Sequence, residues 1–300
     1  MLPAAALGGC GDDEATSAPG PDASPDPGGT LTITLADGVG TLDPLHASGR
    51  AERLASRQVY EPLRASQRGP FGGARRRAGI VIAFRSNRSA TAWTAKLRRG
   101  ISFQGGGPFD ADAVLANADR WLATRAGREL LPELAAADSP RPGRVRFLLD
   151  RGNERFPAGL ADPRLGIVAP AALPAADDAG TMLGAAGTGP FELRESDAGG
   201  VLLARNAGWW GTALGLGPGI DQIELTADPV AGHRLDALLD GAVDVADELG
   251  HNAADRVHAA PLVTMVRGAA ATIGVERSVR GIDSTSASQS LADVWLTDLR

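Results

Sequence analysis

Along residues 31 to about 250 the hydrophobic period switches repeatedly between two and 3.6. Period two places alternate side chains on opposite faces of a strand, and period 3.6 lays an apolar stripe along a helix. A chain carrying both must combine sheet and helix. Residues 31–35 (Leu-Thr-Ile-Thr-Leu), 93–98, 145–149, 200–205, 220–225 and 243–245 read as strands. Residues 50–63, 111 to about 126 and 230–239 read as helices, and 156–160 as a short helix or turn. The punctuation agrees. Asp110 is a good helix N-cap, Pro62 marks a helix end, and Gly241 suits a left-handed cap that separates Asp236 and Asp240 from Asp244 and Asp247. That acidic series reads as the solvated faces of a helix and a strand. Strands and helices do not alternate strictly and no internal repeat is present, so the expected class is α/β with a mixed sheet and α+β character.

Composition narrows the function classes. The 300 residues are 43% hydrophobic and carry a net charge of -6, so no basic stripe for nucleic acid is expected. Arg75-Arg76-Arg77 reads as a solvated loop. No run reaches the roughly 18 apolar residues of a membrane-spanning helix. With a single cysteine, Cys10, the chain has no internal disulfide and no cysteine-rich metal site. His46, His233, His251 and His258 are scattered, so no metal or other cofactor is expected.

The N-terminal segment Leu2 to Cys10 is apolar and ends Leu7-Gly8-Gly9-Cys10. It resembles a bacterial lipobox, in which small residues admit a peptidase and Cys10 receives the lipid. No basic stretch precedes it and the apolar run is short, so it reads as the end of a longer leader. Residues 16–30 are rich in Asp, Ser, Pro and Gly, which bury too little apolar area to fold and form a tether. An exported, membrane-anchored lipoprotein on the extracytoplasmic face is the expectation.

Catalytic signatures are missing. There is no Gly-x-Ser-x-Gly elbow and no His-Glu-x-x-His pair. The one lysine, Lys96, follows Ala95 and so cannot complete a Walker A loop, while Pro218 spoils a Rossmann-type reading of residues 215–219. An enzyme is not expected.

Several short stretches carry a family resemblance through their shared order. They are Leu42-Asp43-Pro44, Val59-Tyr60-Glu61-Pro62-Leu63, residues 93–103, Pro108-Phe109-Asp110-Ala111-Asp112-Ala113-Val114, Ile167-Val168-Ala169-Pro170, Gly187-Thr188-Gly189-Pro190-Phe191, Arg205-Asn206 ahead of Trp209-Trp210, and Gly241-Ala242-Val243-Asp244-Val245. In this order they resemble the extracellular solute-binding proteins of the peptide/nickel family, which serve ABC importers. Two departures stand out. Phe103-Gln104-Gly105-Gly106-Gly107 replaces a Phe-His-Asp-Gly turn, and residues 72–87 are basic where the family has a Pro-x-Leu-Ala segment.

The resemblance implies a periplasmic-binding-protein-like fold, here mainly one lobe with a nested subdomain. Residues 1–30 would be leader remnant and tether, residues 31–43 plus 165–300 the first lobe with its C-terminal tail, and residues 44–164 the nested subdomain. The second lobe would be largely absent between about residues 276 and 279, because the tail-like residues 291–296 follow almost directly. It also implies ligand contacts. Main-chain groups near Asp43 and Pro44, and at Thr188 and Gly189, suit a cleft wall. Arg164 is placed either as a fork for a ligand carboxylate or in a surface ion pair. Tyr60 is either a contact or a core residue, and Trp209-Trp210 read as core packing. The implied partners are a peptide or other small solute, the importer's permease subunits and a lipid anchor. The alternative is a shortened lipoprotein that captures nothing and serves as a scaffold or inactive remnant.

Overall fold

The computed structural model describes residues 28–64, 79–173, 187–250, 253–258, 263–267 and 272–276. Cys10, the tether before residue 28, the Arg75–Arg77 cluster and the tail beyond residue 276 lie outside the described residues.

Two sheets organise the chain. The larger has seven strands: β1 (Thr30–Leu35), β6 (Phe191–Asp197), β7 (Gly200–Arg205), β8 (Gln222–Ala227), β9 (Val245–Ala246), β10 (Val263–Arg267) and β11 (Thr272–Glu276). Their order is β10-β11-β9-β1-β8-β7-β6. Strand β1 runs parallel to both neighbours, with Thr30 opposite Gln222 and Ile33 opposite Val245, whereas the flanking pairs are antiparallel. The sheet is mixed, as the irregular alternation of periods predicts. The smaller sheet is antiparallel, in the order β2-β3-β5-β4, from β2 (Val81–Ser86), β3 (Ala92–Leu97), β4 (Leu134–Arg141) and β5 (Arg144–Leu149).

Helix α1 (Arg50–Val59) starts on a chain of caps: Glu52 Oε2 accepts the Ser48 and Gly49 N–H groups, and Asp37 Oδ2 accepts the Arg50 N–H. It ends four residues before the predicted Leu63. Tyr60 is already extended, because Pro62 forces Glu61 out of helical geometry and no further turn can form. Leu54, Ala55 and Val59 pack on Leu31, Ile33, Leu35, Ile223, Leu225 and Val245, which point to one face of the large sheet. Helices α5 (Ala231–Leu239) and α6 (Ala253–His258) cover the opposite face, where Leu235, Leu238 and Val257 meet Ala246. Buried Arg234 donates to the carbonyls of Asp247 (2.9 Å) and Glu248 (2.8 Å), and to that of Asp228, so one guanidinium ties together the ends of β8 and β9.

The smaller sheet packs on α2 (Ala111–Ala123), α3 (Arg125–Leu130) and the short α4 (Phe156–Gly159) around Trp121, Phe147 and Phe156. Asp110 caps α2 as predicted, accepting the Ala113 N–H at 3.0 Å. The predicted continuation to residue 126 does not occur. Thr124 turns extended, closes α2 and caps α3 by accepting the Gly127 N–H. Gly127 sits so close to α2 that a Cβ there would lie 2.3 Å from the Trp121 carbonyl oxygen.

Asp236 and Asp240 are exposed, as the solvated reading expects, whereas Asp244 and Asp247 depart from it. Asp244 accepts from the Thr32 N–H and hydroxyl, both at 2.7 Å, and ties the start of β9 to β1. Asp247 is fully buried, with Arg50 Nη1 at 3.5 Å from its Oδ2. Asp244 is half-buried ahead of β9, and Asp247 lies just past its C-terminal end.

Candidate functional site

The segments that link the two sheets, residues 36–64, 160–173 and 187–190, converge with residues 101–109, which lie between β3 and α2, at one junction, and five of the six residues expected to contact a ligand lie there. Asp43 is the most enclosed, with no solvent exposure. Its carboxylate accepts Arg120 Nη1 at 3.0 Å, Arg120 Nη2, the Leu45 N–H at 3.1 Å and His46 Nδ1 at 2.8 Å. Its own N–H donates to Thr41 Oγ1, and its carbonyl accepts the N–H groups of His46 and Ala47. A buried carboxylate needs such partners, since desolvation penalises the charge and only paired donors offset it. Asp43 is therefore committed to the fold, and the turn after it is its product.

Pro44 and Tyr60 meet across Gly166. A Cβ at Gly166 would lie 2.7 Å from Tyr60 Cβ and 3.2 Å from Pro44 Cβ, so only glycine lets these chains approach. Tyr60 is buried. That burial first, and the nearby Asp43 charge second, push its phenol well above the ordinary range and keep it protonated.

Thr188 and Gly189 close the junction from the other side. Thr188 Oγ1 donates to Glu61 Oε2 at 3.0 Å, and the same oxygen accepts the indole N–H groups of Trp210 at 2.7 Å and Trp209 at 3.4 Å. Arg98 stacks over the Trp210 ring at 4.9 Å, in a cation–π contact. Gly189 N–H donates to the Val59 carbonyl at 2.9 Å, and a Cβ on Gly187 would lie 1.9 Å from the same oxygen. The Gln104 amide then bonds the carbonyls of Gly189 (3.1 Å) and Phe191 (2.6 Å), which pins the smaller unit to the larger.

Arg164 stands apart. Its guanidinium pairs with Asp162 at 2.8 Å while its side chain remains 46% exposed. Of the two roles considered, the ion pair is formed, and the outward face of the fork stays in solvent. The side chains of Asp43, Pro44, Tyr60 and Thr188 are turned into the protein.

Three further residues hold the junction. Arg120 gives no sequence signal, since an arginine beside Asp119 reads as surface. Glu61 lies inside a recognised stretch, but its role depends on tryptophans 148 and 149 residues away. Asn117 was findable: it is a polar residue in the apolar stripe of Val114, Ala118 and Trp121. Its side chain exchanges two hydrogen bonds with the backbone of Val168, at 2.7 and 3.1 Å. No group of three or more His, Cys, Asp or Glu arranged to hold a metal occurs among the described residues. The junction is a densely hydrogen-bonded scaffold that fixes the two units to each other.

Comparison with known proteins adds family and fold. The family model described as bacterial extracellular solute-binding proteins, family 5 Middle, matches residues 83–287. The glutathione-binding protein GsiB of Escherichia coli strain K12 is 29% identical over 220 residues, covering 70% of this chain and 40% of GsiB. NikA from Brucella suis, solved with Fe(III)-EDTA, superposes with a TM-score of 0.68 at 24% identity, over 79% of this chain and 48% of NikA. DppA from Helicobacter pylori, solved with the peptide STSA, gives 0.67 at 19% identity, over 80% of this chain and 50% of DppA. The chain thus spans half or less of the length of each of these proteins.

Proposed function

This chain belongs to the bacterial extracellular solute-binding proteins of family 5, and on that premise we propose that it captures a peptide or similar small solute outside the cytoplasm for the permease subunits of an ABC importer. The observation that carries the reading is the family match across more than half of the chain, on a fold shared with binding proteins solved around a peptide and a metal chelate. The role is transport, with no catalytic step. In such proteins a ligand stabilises a closed arrangement, and differential affinity for that arrangement is what a transporter can read.

We assign residues 31–43 plus 165–300 to one lobe and residues 44–164 to a subdomain nested in it, the opposing lobe being largely missing between about residues 276 and 279. The division of strands between the two sheets supports the nesting. Cys10 is the proposed lipid attachment site. Labelled palmitate should enter the wild-type chain and not a Cys10→Ser variant in a bacterial host, and equal labelling of both removes the anchor.

A thermal-shift screen of the full chain against di- and tripeptides, glutathione and metal chelates tests capture. A ligand at a hundred times its Kd stabilises the folded state by about 2.7 kcal/mol. A second reading, a scaffold that captures nothing, draws support from the inward, saturated state of Asp43, Tyr60 and Thr188. A flat screen, with calorimetry silent on the same compounds, overturns capture in favour of that reading.

A further inference from the structure

The large sheet holds a crevice outside the junction. Strand β1 ends at Leu35 and its chain passes through residues 37–40 to α1, on the face carrying Ile33 and Val245. The adjacent parallel strand β8 ends at Ala227, and its chain leaves through Asp228 to α5, on the face carrying Ala246. Neighbouring parallel strands whose connections depart to opposite faces leave a crevice beyond their carboxyl ends, and open α/β sheets bind ligands at such switch points. A cavity of about 340 Å³ lies there, bounded by Leu35 and residues 37–40, by residues 197–200 of the β6–β7 turn, and by the end of β8. That volume sits at the small end of the range for ligand sites.

The lining has one sign of charge. Its charged side chains are Asp37, just past β1, and Asp197, at the end of β6. With β8 and β7 between β1 and β6 in the sheet, the two backbones stand about 14 Å apart. Asp37 uses Oδ2 to accept the Arg50 N–H, and Asp197 uses Oδ1 to accept the N–H groups of Gly199 and Gly200. Each keeps its second oxygen without a hydrogen bond among the described residues. Val39, Ala198 and Ala227 line the same crevice. Two carboxylates on strands about 14 Å apart, each with an oxygen to spare, together with apolar side chains in the same lining, match a short alkyl chain bearing a cation at each end.

We propose that this crevice binds a small aliphatic diamine, each ammonium facing one of Asp37 and Asp197. The assignment rests on the solute-capture reading above and gives that solute a place and a charge. Calorimetry on the full chain at low salt, with 1,4-diaminobutane as probe, tests it. The expected result is saturable binding at least tenfold tighter than that of butylamine, weakened by added salt, and none for succinate. The double variant Asp37→Asn, Asp197→Asn keeps an acceptor oxygen for each backbone contact, so α1 and the turn persist while affinity falls at least tenfold. Gly38→Leu fills the crevice and also removes binding; a Cβ there meets only Ala227 Cβ, at 3.8 Å, so the variant folds. Absence of saturable diamine binding, or its retention in the Asn pair, overturns the site. Peptides or chelates that bind wild type and all variants alike leave solute capture standing and sink the crevice alone, whereas silence from every probe sinks both.

Discussion

Replacing Asp43 with alanine strands the Arg120 guanidinium in the core. Asp43 has no exposure and the Arg120 side chain only 5%, and their pairing uses both carboxylate oxygens and both terminal nitrogens. Removing one partner of a buried pair costs about 3–5 kcal/mol, because the remaining charge keeps its desolvation penalty without compensation. For a chain of this size that lowers the melting temperature by on the order of 10 °C. Replacing both partners behaves differently. Arg120 Nε is already buried without a hydrogen bond, so Asp43→Leu with Arg120→Met removes an orphaned donor along with the pair. The double variant is expected within about 2 kcal/mol of wild type. Urea unfolding at neutral pH, followed by fluorescence of buried Trp121, measures both. A loss below about 1 kcal/mol for Asp43→Ala, or a double variant as unstable as the sum of its single changes, refutes the claim that Asp43 serves the fold through Arg120.

Glu61→Ala leaves the Thr188 hydroxyl and two indole N–H groups without their acceptor, at roughly 1–3 kcal/mol for each buried donor that finds no water; the Trp209 and Trp210 indole proton resonances should shift, while Glu61→Gln keeps most of the stability. Gly189→Ala forces a Cβ to 2.4 Å from the Gln58 carbonyl oxygen and should unfold the junction, whereas Gly106→Ala, at φ +89 in open space, costs only about 1–2 kcal/mol; comparable melting points for the two would refute the close approach. Burial raises the Asp247 carboxyl above its ordinary value, against the lowering pull of Arg50. The folded state therefore takes up a proton before the unfolded chain does, and stability rises as pH falls from above that raised value toward the ordinary carboxylate range. Asp247→Asn should stabilise at neutral pH and flatten this slope in pH-dependent urea melts; an unchanged slope refutes it.

Strands of the large sheet were legible where one face is core and the other is not. Leu31, Ile33 and Leu35 alternate with threonines, and Val201 and Leu203 alternate similarly, so their period survives in the sequence. Strand β2 is hidden because it is an edge with only Val81 buried, and its arginine and serine residues face solvent on both sides. Strand β4 is hidden by Ala135-Ala136-Ala137 and Pro140 and by two register shifts against β5, which break any period of two. The end of α2 was misjudged because the break is imposed by Gly127 packing on Trp121, which helix propensity does not record. The junction was half legible. Its segments could be picked out from their order, but which way Asp43 and Thr188 face depends on Arg120 and Glu61, partners 77 and 127 residues distant.

The pairing of β1 with β8 joins Thr30 to Gln222, residues 192 positions apart in the chain. A ribosome adding about 5–20 residues per second would hold the first strand without its partner for roughly 10–40 s. The small antiparallel sheet, built from neighbours in sequence, can close during that wait. Newborn chains would thus travel with a finished inner module and one unmated hydrophobic ribbon, a period in which chaperones have their strongest claim on them.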